Sequence, residues 1–382
     1  MRMHVVDTTL FYSPTSGGVK RYLSAKHAWI AAHTPWQHTI VVPGRQPRFE
    51  RGGVCTLPGY PVPGTFNYRL PLNPQRWTRL LDALEPTLLE AGDAFHPAWC
   101  AWRVAQRRGI PLVGFYHSNL PQLAGRRRCG WFTEPVIRRY LRVLYQRCDV
   151  VFAPSRLMCE FLRELGVAHA AHQPLGVDPQ IFNPARRSGA LRSRLGLPAA
   201  ARVLVYAGRF AQEKNLPVLL KAFAQLGSPY HLLLIGGKRR TRPAANVSMI
   251  PYRRNSLELA QWVASADALV HAGTKETFGL VVLEAMACGR PVVAARAGAF
   301  PEFVDDTVGV LAEPDSGAGM AAAIAALYER DLDAVGLAAR ARVLRQFTWD
   351  RVFHAQTAAY ASLAGAHRPV LEPLAGFSLP SP

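Results

Sequence analysis

Two glutamates, Glu276 and Glu284, have seven residues between them in the stretch TKETFGLVVLEAMACGRP, residues 274–291. LVVLEAMA reads as a buried helix with a carboxylate in its middle, and unpaired charges are rarely buried. Glu284 therefore either escapes to solvent or has a polar task. ALVHAG, just upstream, reads as a strand and TKET as its exit loop, which puts Glu276 beyond a strand end and Glu284 along the next helix. Phe278, Gly279 and Leu280 would then offer free backbone N–H groups at a helix N-terminus, a natural seat for an anion. Carboxylates are strong acceptors for paired hydroxyls. Two of them flanking an anion-binding turn suit a sugar on one side of a diphosphate and a ribose on the other.

Other strand ends carry comparable groups. VYAGRFAQEKN places Arg209 and Lys214 after an apolar run, and two cations beside a helix start suit a diphosphate. The plainer alternative is a surface ion pair between Lys214 and Glu213. Gly17 and Gly18 open a helical stretch after the first strand, which serves either a tight turn or a phosphate. His117 ends the run PLVGFYH, where a histidine is either structural or poised at a crevice. Gly236, in IGG, would let a ligand approach the backbone.

The elements that must hold these groups alternate between strand and helix. MHVVD, HTIVV, PLVGFYH and DVVFAPS in the first half, and RVLVYAGR, HLLLIGG, ALVHAG, PVVAAR and VGVLAE in the second, are continuous apolar runs. Such runs suit parallel strands covered on both faces. GVKRYLSAKHAWIAAH, LPVLLKAFAQL, SLELAQWVASA and LVVLEAMACG are the helices between them. The fold class is α/β, with two doubly wound Rossmann-like domains whose ligands bind beyond the strand ends. The expected division is 1–183, a linker over 184–200, 201–348, and a terminal helix that crosses back to the first domain before a Pro-rich tail, 349–382. A length of 382 residues, 49% of them hydrophobic, supports two cores.

No apolar run is long enough to span a membrane, and the N-terminus starts as a strand and not as a signal peptide. Six cysteines without a CxxC pair point to the cytoplasm. The net charge of +19 calls for an anionic partner. Between Arg103 and Arg147 stand ten arginines against one acid, Glu134. In EPVIRRYLRVLYQR the residues Val136, Ile137, Tyr140, Leu141 and Leu144 are expected to face inward, with Arg138, Arg139 and Arg142 on another face. That face is either simply solvated or meets an anionic membrane surface. Nucleic acid is disfavoured, because no binding motif accompanies the charge.

Taken in order along the chain, SGGVKRYL, HSNLP, APS, LGVDPQIFNP, YAGRFAQEKN, ETFGLVVLEAMACGRPVVA and FTWDRV resemble the retaining glycosyltransferases of family 4, which have the GT-B architecture of two facing Rossmann-like domains. HSNLP and ETFG are similar to the bacterial mannosyltransferases and sulfolipid synthases of that family. The resemblance implies an interdomain cleft in which Arg209 and Lys214 bind the donor diphosphate and stabilise the departing nucleotide. Glu276 would hold hydroxyls of the transferred sugar, oriented with the help of the Phe278, Gly279 and Leu280 backbone. Glu284 would accept from the ribose, Gly17 and Gly18 would let the first-domain loop close over the diphosphate, Gly236 would join the donor site, and His117 would face the reacting sugar. It further implies hexose transfer with retention, mannose from GDP-mannose being favoured over a UDP-sugar. The acceptor would be a lipid, a lipid-linked compound or a glycan on the cytoplasmic face of the inner membrane, where the protein would be peripheral.

No cofactor or metal is expected. DLD, 331–333, matches a metal-binding pattern of other glycosyltransferases but lies in a helical stretch away from any strand end, and GAGMAA, 317–322, resembles a dinucleotide fingerprint without the strand before it. IPYRRNS replaces the glycine-containing segment usual on the nucleobase side, so Arg253 and Arg254 meet either solvent or the nucleotide. A nucleotide-sugar 2-epimerase and a non-catalytic sugar- or lipid-binding protein are the competing functions; the cation pair and the glutamate pair together favour transfer.

Overall fold

The structure, a computed structural model, describes residues 3–12, 17–62, 68–121, 130–237 and 241–366. Lys238, Arg239, Arg240, Arg126 to Arg128 and the Pro-rich tail from 367 lie outside the described residues. The first half forms a parallel sheet in the order β3-β2-β1-β6-β7-β8-β9. Its strands are β1 (His4–Thr8), β2 (Gln37–Gly44), β3 (Val54–Pro58), β6 (Leu88–Ala91), β7 (Leu112–Phe115), β8 (Val150–Ala153) and β9 (Ala170–His172). A small antiparallel hairpin, β4 (Tyr60–Pro61) with β5 (Arg69–Leu70), stands outside that sheet.

The second half repeats the plan in the order β12-β13-β11-β10-β14-β15-β16. These strands are β10 (Arg202–Ala207), β11 (Tyr230–Gly237), β12 (Thr241–Ala244), β13 (Val247–Pro251), β14 (Ala268–His271), β15 (Val292–Ala295) and β16 (Gly309–Ala312). Only β12 runs antiparallel to its neighbour in this sheet. The nine runs read as strands from their apolar continuity are all strands, and central ones such as Val5, Val6, Val203, Leu204 and Val205 are fully buried, as a sheet covered on both faces requires.

Each sheet grows outward from its first strand and then restarts on that strand's other side. The reversals fall between β1 and β6 and between β10 and β14. A crevice opens beyond the strand ends at such a switch point. The chain leaving β1 enters the Gly18–His33 helix, the chain leaving β10 carries Arg209 to Lys214, and the chain leaving β14 carries Glu276 into the Leu280–Ala287 helix.

Within the segment between the halves, a turn at Pro184–Arg186 and a short helix, Leu191–Leu195, pack on the second half. Leu191 and Leu195 are buried, Arg192 Nη2 lies 2.8 Å from Asp267, and the Ser188 N–H donates to Ser265 Oγ at 2.8 Å. The chain crosses between domains again at Val177, whose N–H donates to the Phe347 carbonyl (2.8 Å) and whose carbonyl accepts from Trp349 N–H (3.2 Å). The Trp349–Ala366 helix then packs on the first domain, where Trp29 Nε1 donates to Asp350 Oδ1 at 2.9 Å. It also closes a buried charge cluster, since Lys26 Nζ donates to Asp7 (2.9 Å) and to the Tyr360 hydroxyl (2.7 Å) and lies 3.0 Å from Glu90. Removing one member of such a cluster would strand the others without water, so the cluster pins the terminal helix in place.

The arginine-rich helix spans Gly130–Tyr145. Leu141 and Leu144 are buried and Ile137 is half-buried, but Val136 is 68% exposed and Tyr140 sits at the rim. The expectation that Val136 faces inward is therefore corrected. At 3.6 residues per turn Val136 lies about 140° round the helix from Leu141, outside the narrow buried arc.

Candidate active site

The two crevices face each other and enclose a cavity of about 370 Å³. Gly17, Gly18, His117, Arg209, Lys214, Glu276, Phe278, Gly279, Leu280 and Glu284 all line it. Of the eleven residues singled out in the sequence, only Gly236 is absent from its walls. Gly236 has φ +147°, and a Cβ there would lie 1.9 Å from the Gly208 carbonyl oxygen. The close approach it permits among the described residues is to the neighbouring Gly208 backbone.

Lys214 ends a 3-10 turn, Gln212–Lys214, and its ammonium donates to Glu276 Oε1 across the mouth of β10. It thus pairs with Glu276 and not with Glu213, which faces Arg209 at 3.5 Å. Tyr206 supports the loop by donating its hydroxyl to the Arg209 carbonyl at 2.8 Å. His271, the last residue of β14, reaches the same carboxylate. The Gly273 N–H donates to His271 Nδ1 (3.0 Å), which leaves the proton on Nε2, 3.4 Å from Glu276 Oε1. Burial holds the His271 imidazole neutral, with its pKa lowered to about 4 against the pull of Glu276. Burial alone would push the Glu276 carboxyl up, but Lys214, His271 and Arg209 outweigh it and the pKa lies below the ordinary value. Glu276 is therefore a fixed carboxylate, oriented from two sides and suited to accepting hydroxyl protons.

Gly279 caps the Leu280–Ala287 helix in the left-handed region, φ +92°, and a Cβ there would meet Phe300 Cε1 at 2.6 Å. This turn aims the free N–H groups of the helix start into the cavity. Across from it the Gly18–His33 helix starts behind Gly17, so two positive helix ends converge on one space.

His117 lies at the end of β7 with its ring stacked on Phe115, centroids 4.0 Å apart, and edge-on to Tyr22 at 5.1 Å. Its Nε2 finds no hydrogen-bond partner among the described residues. Burial, reinforced by Lys26, lowers its pKa to about 3, so the ring is neutral. Its carbonyl accepts from the Thr277 hydroxyl at 3.0 Å, which ties the domains together beside the site. Glu302 makes a second tie, accepting from the N–H groups of Arg156 (2.8 Å) and Leu157 (2.9 Å) at the start of the Arg156–Glu164 helix. On the far side of Glu276 a second cavity of about 220 Å³ is lined by Asn119, Glu160, Glu164, Thr274 and Thr277.

Three contributors were not read from the sequence. His271 stands in the quoted run ALVHAG, and a polar residue closing an apolar strand at a switch point was the available signal. Arg21 ion-pairs with the buried Glu284; it is a cation in the first turn of a helix, where the dipole disfavours it, and that misfit was its signal. Glu302 had none, because its partners are backbone groups more than a hundred residues away. The two discarded patterns have plain structural roles. Asp331 caps the Leu332–Gln346 helix by accepting from Asp333 and Ala334 N–H at 3.0 Å, and Ser316 caps the Gly317–Tyr328 helix by accepting from Gly319 N–H at 2.9 Å.

Two facing Rossmann-like domains with the site between them define the GT-B class of glycosyltransferases. A sucrose-phosphate synthase from Thermosynechococcus elongatus has the same fold, with TM-score 0.79 and 21% identity over 96% of this chain and 100% of that one. Residues 16–181 match Glycosyltransferase Family 4, and residues 201–330 match Glycosyl transferases group 1. A GDP-mannose-dependent alpha-(1-6)-phosphatidylinositol dimannoside mannosyltransferase of Mycobacterium tuberculosis is 29% identical over 96% of this chain and 98% of its own length. A D-inositol 3-phosphate glycosyltransferase of Xylanimonas cellulosilytica is 32% identical over 68% of each chain. The chain belongs to glycosyltransferase family 4 and is an enzyme that transfers a sugar from a nucleotide sugar.

Proposed function

We propose that the protein moves mannose from GDP-mannose, with retention of configuration and without a metal, to a lipid, lipid-linked or glycan acceptor at the cytoplasmic face of a membrane. The observation that carries this reading is the placing of Arg209 and Lys214 beside Glu276 in a cleft where two helix N-termini meet. In such a site the leaving diphosphate is the charge that grows in the transition state, and fixed cations and N–H dipoles stabilise it with little rearrangement. They take the role a metal would otherwise fill. The carboxylate of the one DxD pattern is already occupied as a helix cap.

Glu276, held by Lys214 and His271, is a binding carboxylate and not a nucleophile. Neutral His117 has a ring nitrogen without a partner among the described residues, open to a sugar hydroxyl, but at a pKa of about 3 it has no proton to exchange near neutrality. Both facts favour departure and attack on one face of the sugar, with the leaving phosphate oxygen taking the acceptor proton. Domain closure keeps water from competing. The cavity beyond Glu276, with hydroxyl, amide and carboxylate groups in its wall, suits an acceptor hydroxyl.

Mannose and GDP are favoured by the mycobacterial relative that matches over nearly the whole of both chains. Membrane placement rests on the basic face: Arg139 and Arg142 on the Gly130–Tyr145 helix and Arg103 nearby are exposed and carry no carboxylate partner among the described residues, and no described helix is long and apolar enough to cross a membrane.

A donor screen tests the proposal. Purified protein is mixed with GDP-mannose, UDP-glucose, UDP-galactose or UDP-N-acetylglucosamine, with and without lipid extract and EDTA, and nucleotide release is followed. GDP release stimulated by lipid and insensitive to EDTA is the expected result. Preference for a UDP-sugar, or loss of activity in EDTA that manganese restores, would overturn the corresponding part.

A further inference from the structure

Glu284, the carboxylate assigned to the ribose, is not waiting free. Its side chain is 2% exposed, and the guanidinium of Arg21 holds Oε1 from the other domain. Arg21 lies in the first turn of the Gly18–His33 helix, its N–H donating to the Gly17 carbonyl at 3.2 Å, and its guanidinium also sits 5.9 Å from the centroid of the Phe182 ring. The two helix starts abut here, for a Cβ on Gly18 would lie 3.3 Å from Leu280 Cδ1. The ion pair therefore acts as a partition. The donor cavity and a neighbouring cavity of about 350 Å³ share Gly17, Arg21, Tyr252 and Glu284 in their walls.

A carboxylate grips a vicinal diol best with both oxygens, and one of these is occupied. A ribose that displaces Arg21 leaves a guanidinium in a confined space without its counter-charge, which is costly unless another anion takes it up. A nucleoside brings no such anion. A nucleoside diphosphate brings it on the same molecule, at the end nearest the glycine-opened helix start from which Arg21 projects, and guanidinium binds phosphate oxygens in a forked geometry.

We propose that Arg21 senses the donor: it holds Glu284 while the cleft is empty, and it transfers to the diphosphate when the ribose takes that carboxylate. The inference rests on the assignment of this cleft to a nucleotide sugar. It makes the enzyme refuse nucleosides and admit only ligands that carry both a ribose and a multiply charged phosphate group, and it adds a third cation from the opposite domain to Arg209 and Lys214.

The test is calorimetric binding of guanosine, GDP, uridine and UDP to the wild type, to Arg21→Met and to Arg21→Lys, with thermal melts to show that the variants fold. In the wild type the diphosphate of the accepted base binds far more tightly than its nucleoside. In Arg21→Met the nucleoside should bind more tightly than in the wild type, while the diphosphate binds about tenfold more weakly, the size of one lost charge-assisted contact. Arg21→Lys, which keeps the charge, should retain part of the diphosphate affinity. Equal losses for nucleoside and diphosphate, or no change in either, overturn the proposal, since a structural role moves both together. A wild type that binds neither GDP nor UDP would instead refute the nucleotide-sugar assignment itself.

Discussion

Glu276 shows how a side chain becomes a tool through its neighbours. Lys214 and His271 fix it from two directions, so Glu276→Gln should remove the charge pairing, replace one of the two acceptor oxygens with a donor, and lower turnover far more than it lowers stability. The histidines make a separate expectation about pH. His271 and His117 have folded-state pKa values of about 4 and about 3 against an ordinary 6.5. The unfolded chain therefore binds protons that the folded one refuses, and stability falls as pH drops from about 6.5 towards 4, by up to about 1.4 kcal/mol per pH unit for each histidine. Urea midpoints at pH 7, 6 and 5 measure this, and His271→Gln should flatten the slope; a midpoint that rises on acidification would contradict it. Asp331 is the control residue. Asp331→Ala should cost about 1 kcal/mol through the lost helix cap, whereas Asp331→Asn, which can still cap, should match the wild type in both melting and activity. Glu276, Lys214 and Arg209 were legible in the sequence as crevice residues because charged residues after apolar strands have few structural excuses, and Glu284 because a carboxylate interrupts an apolar helix. His271 and Arg21 were passed over because each stands inside a run that reads as ordinary strand or helix, and only the fold shows the carboxylate each one meets.

At the scale of elements, the Leu280–Ala287 helix depends on one backbone angle. Gly279 combines φ +92° with a Cβ position 2.6 Å from Phe300, so Gly279→Ala should destabilise by roughly 1–3 kcal/mol and turn the helix start away from the donor. A greater loss in donor affinity than in melting temperature is the expected signature; unchanged donor affinity would show that the helix start does not contact it. Continuous apolar runs made the central strands legible, from β1, β2, β7 and β8 to β10, β11 and β14. Strands β3, β6 and β9 were not read. LLEA in β6 hides a buried glutamate, Glu90, that is tolerable because Lys26, Tyr22, Gln356 and Tyr360 meet it, and those partners come from two distant helices. Val136 was misplaced for a related reason: apolar spacing sets a helix's preferred face, but the width of the buried arc is set by what packs against it.

At the scale of the molecule, ties among the described residues bridge the cleft: Thr277 to the His117 carbonyl, Glu302 to the Arg156–Glu164 helix start, and Arg21 to Glu284. The two-domain plan followed from the strand and helix order, and a returning terminal helix was expected; the contacts at Val177, Thr348 and Trp349 through which it returns are long-range and no local pattern encodes them. The basic face of the first domain belongs to this scale too. Each arginine near an anionic surface contributes about 1 kcal/mol, so changing Arg138, Arg139 and Arg142 together to glutamine should release the protein from vesicles containing anionic lipid, and high salt should release the wild type. Equal sedimentation with anionic and zwitterionic vesicles would leave that face merely solvated. The central claim is that cations at the end of β10 drive sugar transfer by stabilising a departing diphosphate. Its most direct test is the initial rate of nucleotide release from the accepted donor by Arg209→Ala and Lys214→Ala, each shown to be folded. Both should fall at least about tenfold, a loss above roughly 1.4 kcal/mol of transition-state stabilisation; near wild-type rates in both would contradict it.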